Sequence, residues 1–223
     1  MRFLRAKCLV CLGILPGIPA SAKVATISLE QLTIRSELIV IAEVTAIEEC
    51  AGVRVARVGT VTSIKGMAPT NIAFVAESTW TCDISSASIG ERVLLYLRPV
   101  GRGEFVTMNG QDLSAARDRS SDRGITLFAL THAGRGRIPL QHIGRRWVAK
   151  TRTVAEKLPE LLVNLVLPSS APIGREQDGT ATVSLSYLVK LTRQSIARGP
   201  REAFPSTGPP FGAVACGLEA RQA

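Results

Sequence analysis

"SELIVIAEVTAIEEC", residues 36–50, decides how this chain folds. Leu38, Val40, Ala42, Val44 and Ala46 fall on one face by the two-residue period of a strand. Ile39 and Ile41 make the opposite face apolar at its start. A strand that is apolar on both sides sits in the middle of a structure, not at its edge. Just upstream, Ser28 is placed to cap a short helix whose Leu29 and Leu32 face inward.

Downstream, residues 51–66 read "AGVRVARVGTVTSIKG". Val53 and Val55 set one phase, and Val58, Thr60, Thr62 and Ile64 set the other. The change near Gly59 predicts a bulge or sharp bend, and Lys65-Gly66 opens a turn. Residues 71–78 predict a third strand with Ile72, Phe74 and Ala76 on one face, and 92–100 a fourth, buried on both faces. Residues 101–110 read as a turn and a fifth strand, and the charged run 112–124 as a loop. No long helix separates these strands, so the chain is expected to be mainly β and antiparallel, a barrel or a sandwich. "ITLFAL" and "GRIPLQHIGRRWVAK" add strands or a hairpin turning at Gly144, with Pro139 marking an edge or a strand start. Residues 184–197 form the clearest helix, capped by Ser184, with Leu185, Leu188, Val189 and Ile196 near one stripe.

The first 22 residues follow another pattern. Arg2, Arg5 and Lys7 precede a short apolar run broken by Pro16 and Pro19, and Ala20-Ser21-Ala22 supplies small residues at a cleavage site. That order predicts a signal peptide over 1–22, cut between Ala22 and Lys23, and so an exported protein, periplasmic or secreted. The run is too short for an integral membrane span. One domain over 23–198 and a Pro- and Gly-rich tail over 199–223, read as disordered, complete the organisation. Loss of three basic residues lowers the formal charge by three, from +9 to +6.

Export simplifies the cysteines. Cys8 and Cys11 leave with the signal, and Cys216 lies in the tail. Cys50 and Cys82 each follow an apolar strand, so one Cys50–Cys82 disulfide is the economical pairing in an oxidising compartment. It would close a loop of about 30 residues and contribute about 3 kcal/mol. Unpaired thiols are the first alternative, and a metal or catalytic role the second. A zinc site wants four close nitrogen or sulfur ligands, and a catalytic cysteine wants a histidine and an orienting group. The chain has only His132 and His142, in no recognisable motif. No metal or other cofactor is therefore expected.

The order of these segments resembles the netrin-like domain, the OB-type barrel of the tissue inhibitors of metalloproteinases and of small exported bacterial proteins. Ser36-Glu37-Leu38-Ile39 stands where that family has a Ser-Asp-x-Ile/Val signature. Lys65-Gly66 stands at its Lys-Gly strand end, and Cys82 precedes Gly90 and Leu94-Leu95 as a cysteine precedes its Gly-x-x-x-Leu-Leu strand. The resemblance covers about residues 26–110, with the 184–197 helix as companion, and implies a closed five-stranded Greek-key barrel with flanking short helices. The inhibitors of that family ligate a target zinc through a mature N-terminal cysteine. Here the mature start "KVATISLE" has none, so that mechanism is not carried over.

What remains is an exported binding module, non-catalytic, whose partner is an extracytoplasmic protein or cell-surface polymer. Loops 48–53 and 78–90 are candidate contact regions, with Trp80 and Asp83 as the candidate surface. Trp80 reads as an interface anchor or as packing beside the disulfide. The alternative is a peptidase inhibitor that acts through a loop. Nucleic acid is not expected as a partner: aromatic residues make up 4% of the chain, too few to stack bases. The strongest basic run, "GRGRIPLQHIGRRW" (134–147), reads as a solvated hairpin with Trp147 in the core. Glu43, Glu48, Glu49, Asp83 and Glu91 are scattered and match no hydrolase motif, so no enzymatic activity is expected.

Overall fold

The structure, a computed structural model, describes residues 27–77, 86–101, 111–154, 158–161, 165–175 and 181–199. The signal segment, the tail beyond Gly199, and Trp80, Cys82 and Asp83 lie outside them.

The chain opens with β1 (Ile27–Ser28), α1 (Leu29–Arg35), β2 (Leu38–Cys50), β3 (Val53–Lys65), β4 (Ile72–Val75) and β5 (Arg92–Pro99). Then come α2 (Leu113–Asp122), β6 (Thr126–Leu130), a 3-10 turn at Ala133–Gly136, β7 (Arg137–Ile143) and β8 (Arg146–Val154). It closes with β9 (Leu158–Leu161), β10 (Leu165–Val166), β11 (Gly174–Arg175), β12 (Ala181–Ser184) and α3 (Leu185–Arg198). The protein is mainly β with a C-terminal helix, as expected. Twelve strands are present among the described residues, however, more than the five barrel strands and the added strands or hairpin expected.

β5 pairs antiparallel with β2 and with β6. β2 continues to β3, β3 to β4, and β4 to β6 through a parallel pair. These five strands therefore form a hydrogen-bonded circuit. The expected fifth strand at 101–110 lies, beyond Gly101, outside the described residues, and Thr126–Leu130 closes the circuit instead. The side chains alternate as the two-residue period demands. Leu38, Val40, Val44, Phe74, Val93 and Leu95 share one core, while Ile39, Leu94 and Tyr96 from the same strands enter a second.

Bulges disturb that alternation. Register slips between the pairs Ile41–Thr62 and Glu43–Gly59, which places an irregularity in β3 beside Gly59, as the phase change predicted. Its consequence differs from the expected one: Val61 returns to the first core and Ile64 packs against the second. A second slip between Val44 and Ala46 hands the β2 inner face to Ile47, not Ala46. β2 and β3 meet at Ala51-Gly52, both with positive φ (51° and 79°), as a two-residue I′ hairpin turn requires.

Residues 113–122, expected as a loop, are helix α2. Asp112 accepts the Ser114 N–H at 2.7 Å and caps it. Leu113, Ala116 and Ser120 form its buried row, and Leu113 and Ala116 fill a third core with Val53, Val55, Val75 and Leu127. Three inward residues, of which only Leu113 is large and apolar, hide such a helix from periodicity among so many charges.

A second group of strands extends from β5. Arg137–Leu140 of β7 pair with β5, and Gln141–Ile143 pair with β8. β7 thus passes from one partner to the next, and Pro139 sits where only β5 is beside it, the edge position expected. β9, β10 and β12 build on β8 and β9, and β1 pairs parallel to β10. α1 and α3 cover this group through Leu29, Leu32 and Leu188. α3 has the expected Ser184 cap, but its fully buried row is Leu188, Thr192 and Ser195; Val189 and Ile196 are only partly covered. Thr192 faces inward because the Tyr96 hydroxyl is 2.7 Å from its Oγ1.

Candidate functional site

α1 is fixed where it meets the circuit. Ser36 is buried, and its hydroxyl donates to the Leu32 carbonyl at 2.7 Å and lies 2.9 Å from the Thr131 hydroxyl. Lys65 donates to the carbonyls of Thr33, Ile34 and Ser36, satisfying the open C-terminal end of α1. Burial holds the Lys65 ammonium below its ordinary pKa, and the charge of Glu37 partly offsets this. Gly66 follows with φ +75°, and a Cβ there would stand 2.5 Å from the Glu37 carbonyl oxygen. Ser36-Glu37 and Lys65-Gly66, two separate motifs in the sequence, are in contact.

α3 is fixed by Tyr96 and Thr192. Burial raises the Tyr96 phenol above its ordinary pKa, with hydrogen bonds to Thr192 and Thr33 opposing the shift. Between these anchored helices lies a groove of about 520 Å³. Its floor along α3 is Tyr187, Leu191 and Ser195, and its rim is Lys190, Gln194 and Arg198. Each set is spaced by four residues, so the two are adjacent rows of one helix. Leu29, Glu30, Leu167, Pro168 and Ser170 contribute to the opposite wall. The sequence reading found α3 but not this groove. The available signal was the second row, 187/191/195, beside the buried one.

Trp80, Cys82 and Asp83 lie outside the described residues. Cys50 is a free thiol, buried, with its sulfur 3.4 Å from the Ala116 carbonyl oxygen and 3.4 Å from the Ser120 hydroxyl. Of loop 48–53, Glu48 pairs with Arg57 at 3.3 Å and with Arg123 at 3.7 Å. Of loop 78–90, residues 86–90 are described; Ile89 is 66% exposed, and Glu91 just beyond accepts the Ser88 N–H and pairs with Arg137.

The basic run 134–147 is not one patch. Arg135 and Arg137 are buried, which leaves Arg145 and Arg146 in solvent. Trp147 packs against the second core, under the Arg92 guanidinium at 4.7 Å and against the edge of His142 at 5.0 Å. Among the described residues, no three histidine, cysteine or carboxylate side chains gather in reach of one metal ion, and no helix is long and apolar enough to cross a membrane. No known protein family, curated protein or solved structure matches this chain.

Proposed function

We propose that this protein is an exported, non-catalytic binding module on a five-stranded OB-type barrel of the netrin-like kind, and that it holds its partner in the α1–α3 groove. The closed circuit of β2, β3, β4, β6 and β5, with its parallel β4–β6 pair, supports the barrel reading. So does the contact between Ser36, Lys65 and Gly66, which gives the shared motifs a common structural task.

The groove carries the binding reading. It is an open, mostly apolar cleft on helices that are each anchored to the strands by buried hydrogen bonds. Three ionisable groups among the described residues are engaged in structure: Lys65 closes a helix, Glu91 holds Arg137, and the Cys50 thiol faces α2. The partner is an extracytoplasmic protein or polymer, because the basic head, apolar run and Ala20-Ser21-Ala22 site direct the chain out of the cytosol.

The test has two parts. Intact mass of the chain from its own host should begin at Lys23; a full-length mass refutes export. The exported fraction is then passed over immobilised wild-type chain and over Gln194→Trp, which fills the groove from its rim. A partner retained by wild type and lost with Gln194→Trp is expected. Equal retention by both refutes the groove.

A further inference from the structure

We infer that the groove takes an extended, acidic peptide segment of another protein, with two carboxylates about four residues apart and apolar side chains between them. This rests on the reading of the groove as the binding site.

α3 carries Lys190, Arg193 and Arg198 and no acidic residue. Two of these cations stand on the groove rim, and among the described residues Glu30 is the only acid in the lining. Neither Lys190 nor Arg198 forms an ion pair among the described residues, although Arg57, Arg117, Arg123 and Arg137 all do. Cations left open beside an apolar floor complement an anionic, partly apolar ligand.

Length narrows the ligand further. Lys190 and Arg198 are eight residues apart on one helical row, about 12 Å at 1.5 Å per residue. An extended chain covers about 13 Å in four residues. Carboxylates at positions i and i+4 of a strand-like segment therefore reach both cations from the same side of the peptide. The side chain at i+2, on that same side, then lies over Tyr187 and Leu191. A small anion would use one cation and leave the apolar floor bare.

The probe is a set of rhodamine-labelled heptapeptides read by fluorescence anisotropy with the full chain. The acidic one is Ala-Asp-Leu-Val-Leu-Asp-Ala; the neutral and basic ones carry asparagine or lysine at the two aspartate positions. The acidic peptide should bind about tenfold tighter than the neutral one and more weakly as salt rises. The double variant Lys190→Glu/Arg198→Glu, both rim positions, should lose that preference and favour the basic peptide, with an unchanged Tm showing that it folds.

Equal binding of all three peptides, or an acidic preference that survives the double reversal, overturns the inference but leaves the groove reading standing. Concentration-dependent self-association abolished by the reversal also overturns it, because a second copy then fills the groove. A photo-crosslinker at Gln194 that captures residues 200–223 of the same chain overturns it in favour of the tail. Failure of every peptide, together with groove-independent capture of the partner, removes both readings.

Discussion

The five-strand circuit and the seam where α1 and α3 join it are stabilised by different physics. The circuit's two cores are almost wholly apolar, built from Val40, Phe74, Val93, Leu95 and Leu97 on one side and Val53, Val55, Leu113 and Leu127 on the other. Burial of such surface is non-directional and closes in on itself. The seam adds polar groups to its apolar core of Leu29, Leu32 and Leu188: Thr33, Ser36, Thr131 and Thr192 are all buried. Their hydrogen bonds fix α1 and α3 on the strands, and the groove opens where residues 166–170 and the start of α1 face α3. The circuit supplies stability, and the seam supplies a shaped surface.

Four substitutions test that contrast. The largest effect is expected inside the circuit. Phe74→Ala removes a fully buried ring and should cost about 4 kcal/mol, read as a lower denaturant midpoint. A cost below 1 kcal/mol would show that this core is not well packed. Gly66→Ala comes next, at about 3 kcal/mol, since it combines a strained φ with a Cβ driven at the Glu37 carbonyl. A neutral result would mean that the join between α1 and β3 is loose.

Tyr96→Phe should cost about 1 kcal/mol at neutral pH, by removing the hydroxyl paired with Thr192. It also carries a pH signature. The folded phenol has a pKa above its ordinary 10.0, so above pH 10 the unfolded chain loses a proton that the folded chain keeps. This contribution is complete below pH 10 and declines as pH rises beyond it. Lys65 acts in the opposite sense: its pKa is lowered in the fold, so its penalty eases as pH climbs toward 10.5. Wild-type Tm should therefore fall above pH 10 more steeply than that of Tyr96→Phe. Parallel curves would show that the phenol is not the buried acid described here. The smallest effect belongs to the hairpin turn: Ala51→Asn, at φ 51°, should stabilise by about 0.5 kcal/mol, as asparagine tolerates that conformation better.

How much was legible divides along the same line. β2 was readable from its two-residue period, β5 from its unbroken apolar run, and α3 from its Ser184 cap and its apolar Leu185, Leu188 and Val189, although Thr192 and Ser195 complete its buried row. α2 was not, since only Leu113, Ala116 and Ser120 face inward among charged neighbours. The strands from β9 to β12 run for two to four residues, too short for any period to register. Ser36 and Lys65 were visible only as separate short motifs, because their contact spans 29 residues of chain. The groove needed two facts that no single segment holds: which row of α3 is buried, and that residues 166–170 stand opposite it.

The central claim is that the seam, and not the circuit, meets the partner. A photo-crosslinking residue placed in the native host at Gln194, on the groove rim, and separately at Arg119, exposed on α2, tests it most directly. The account predicts a discrete exported adduct from position 194 and none from 119. An adduct from 119 alone, or the same adducts from both positions, would contradict it.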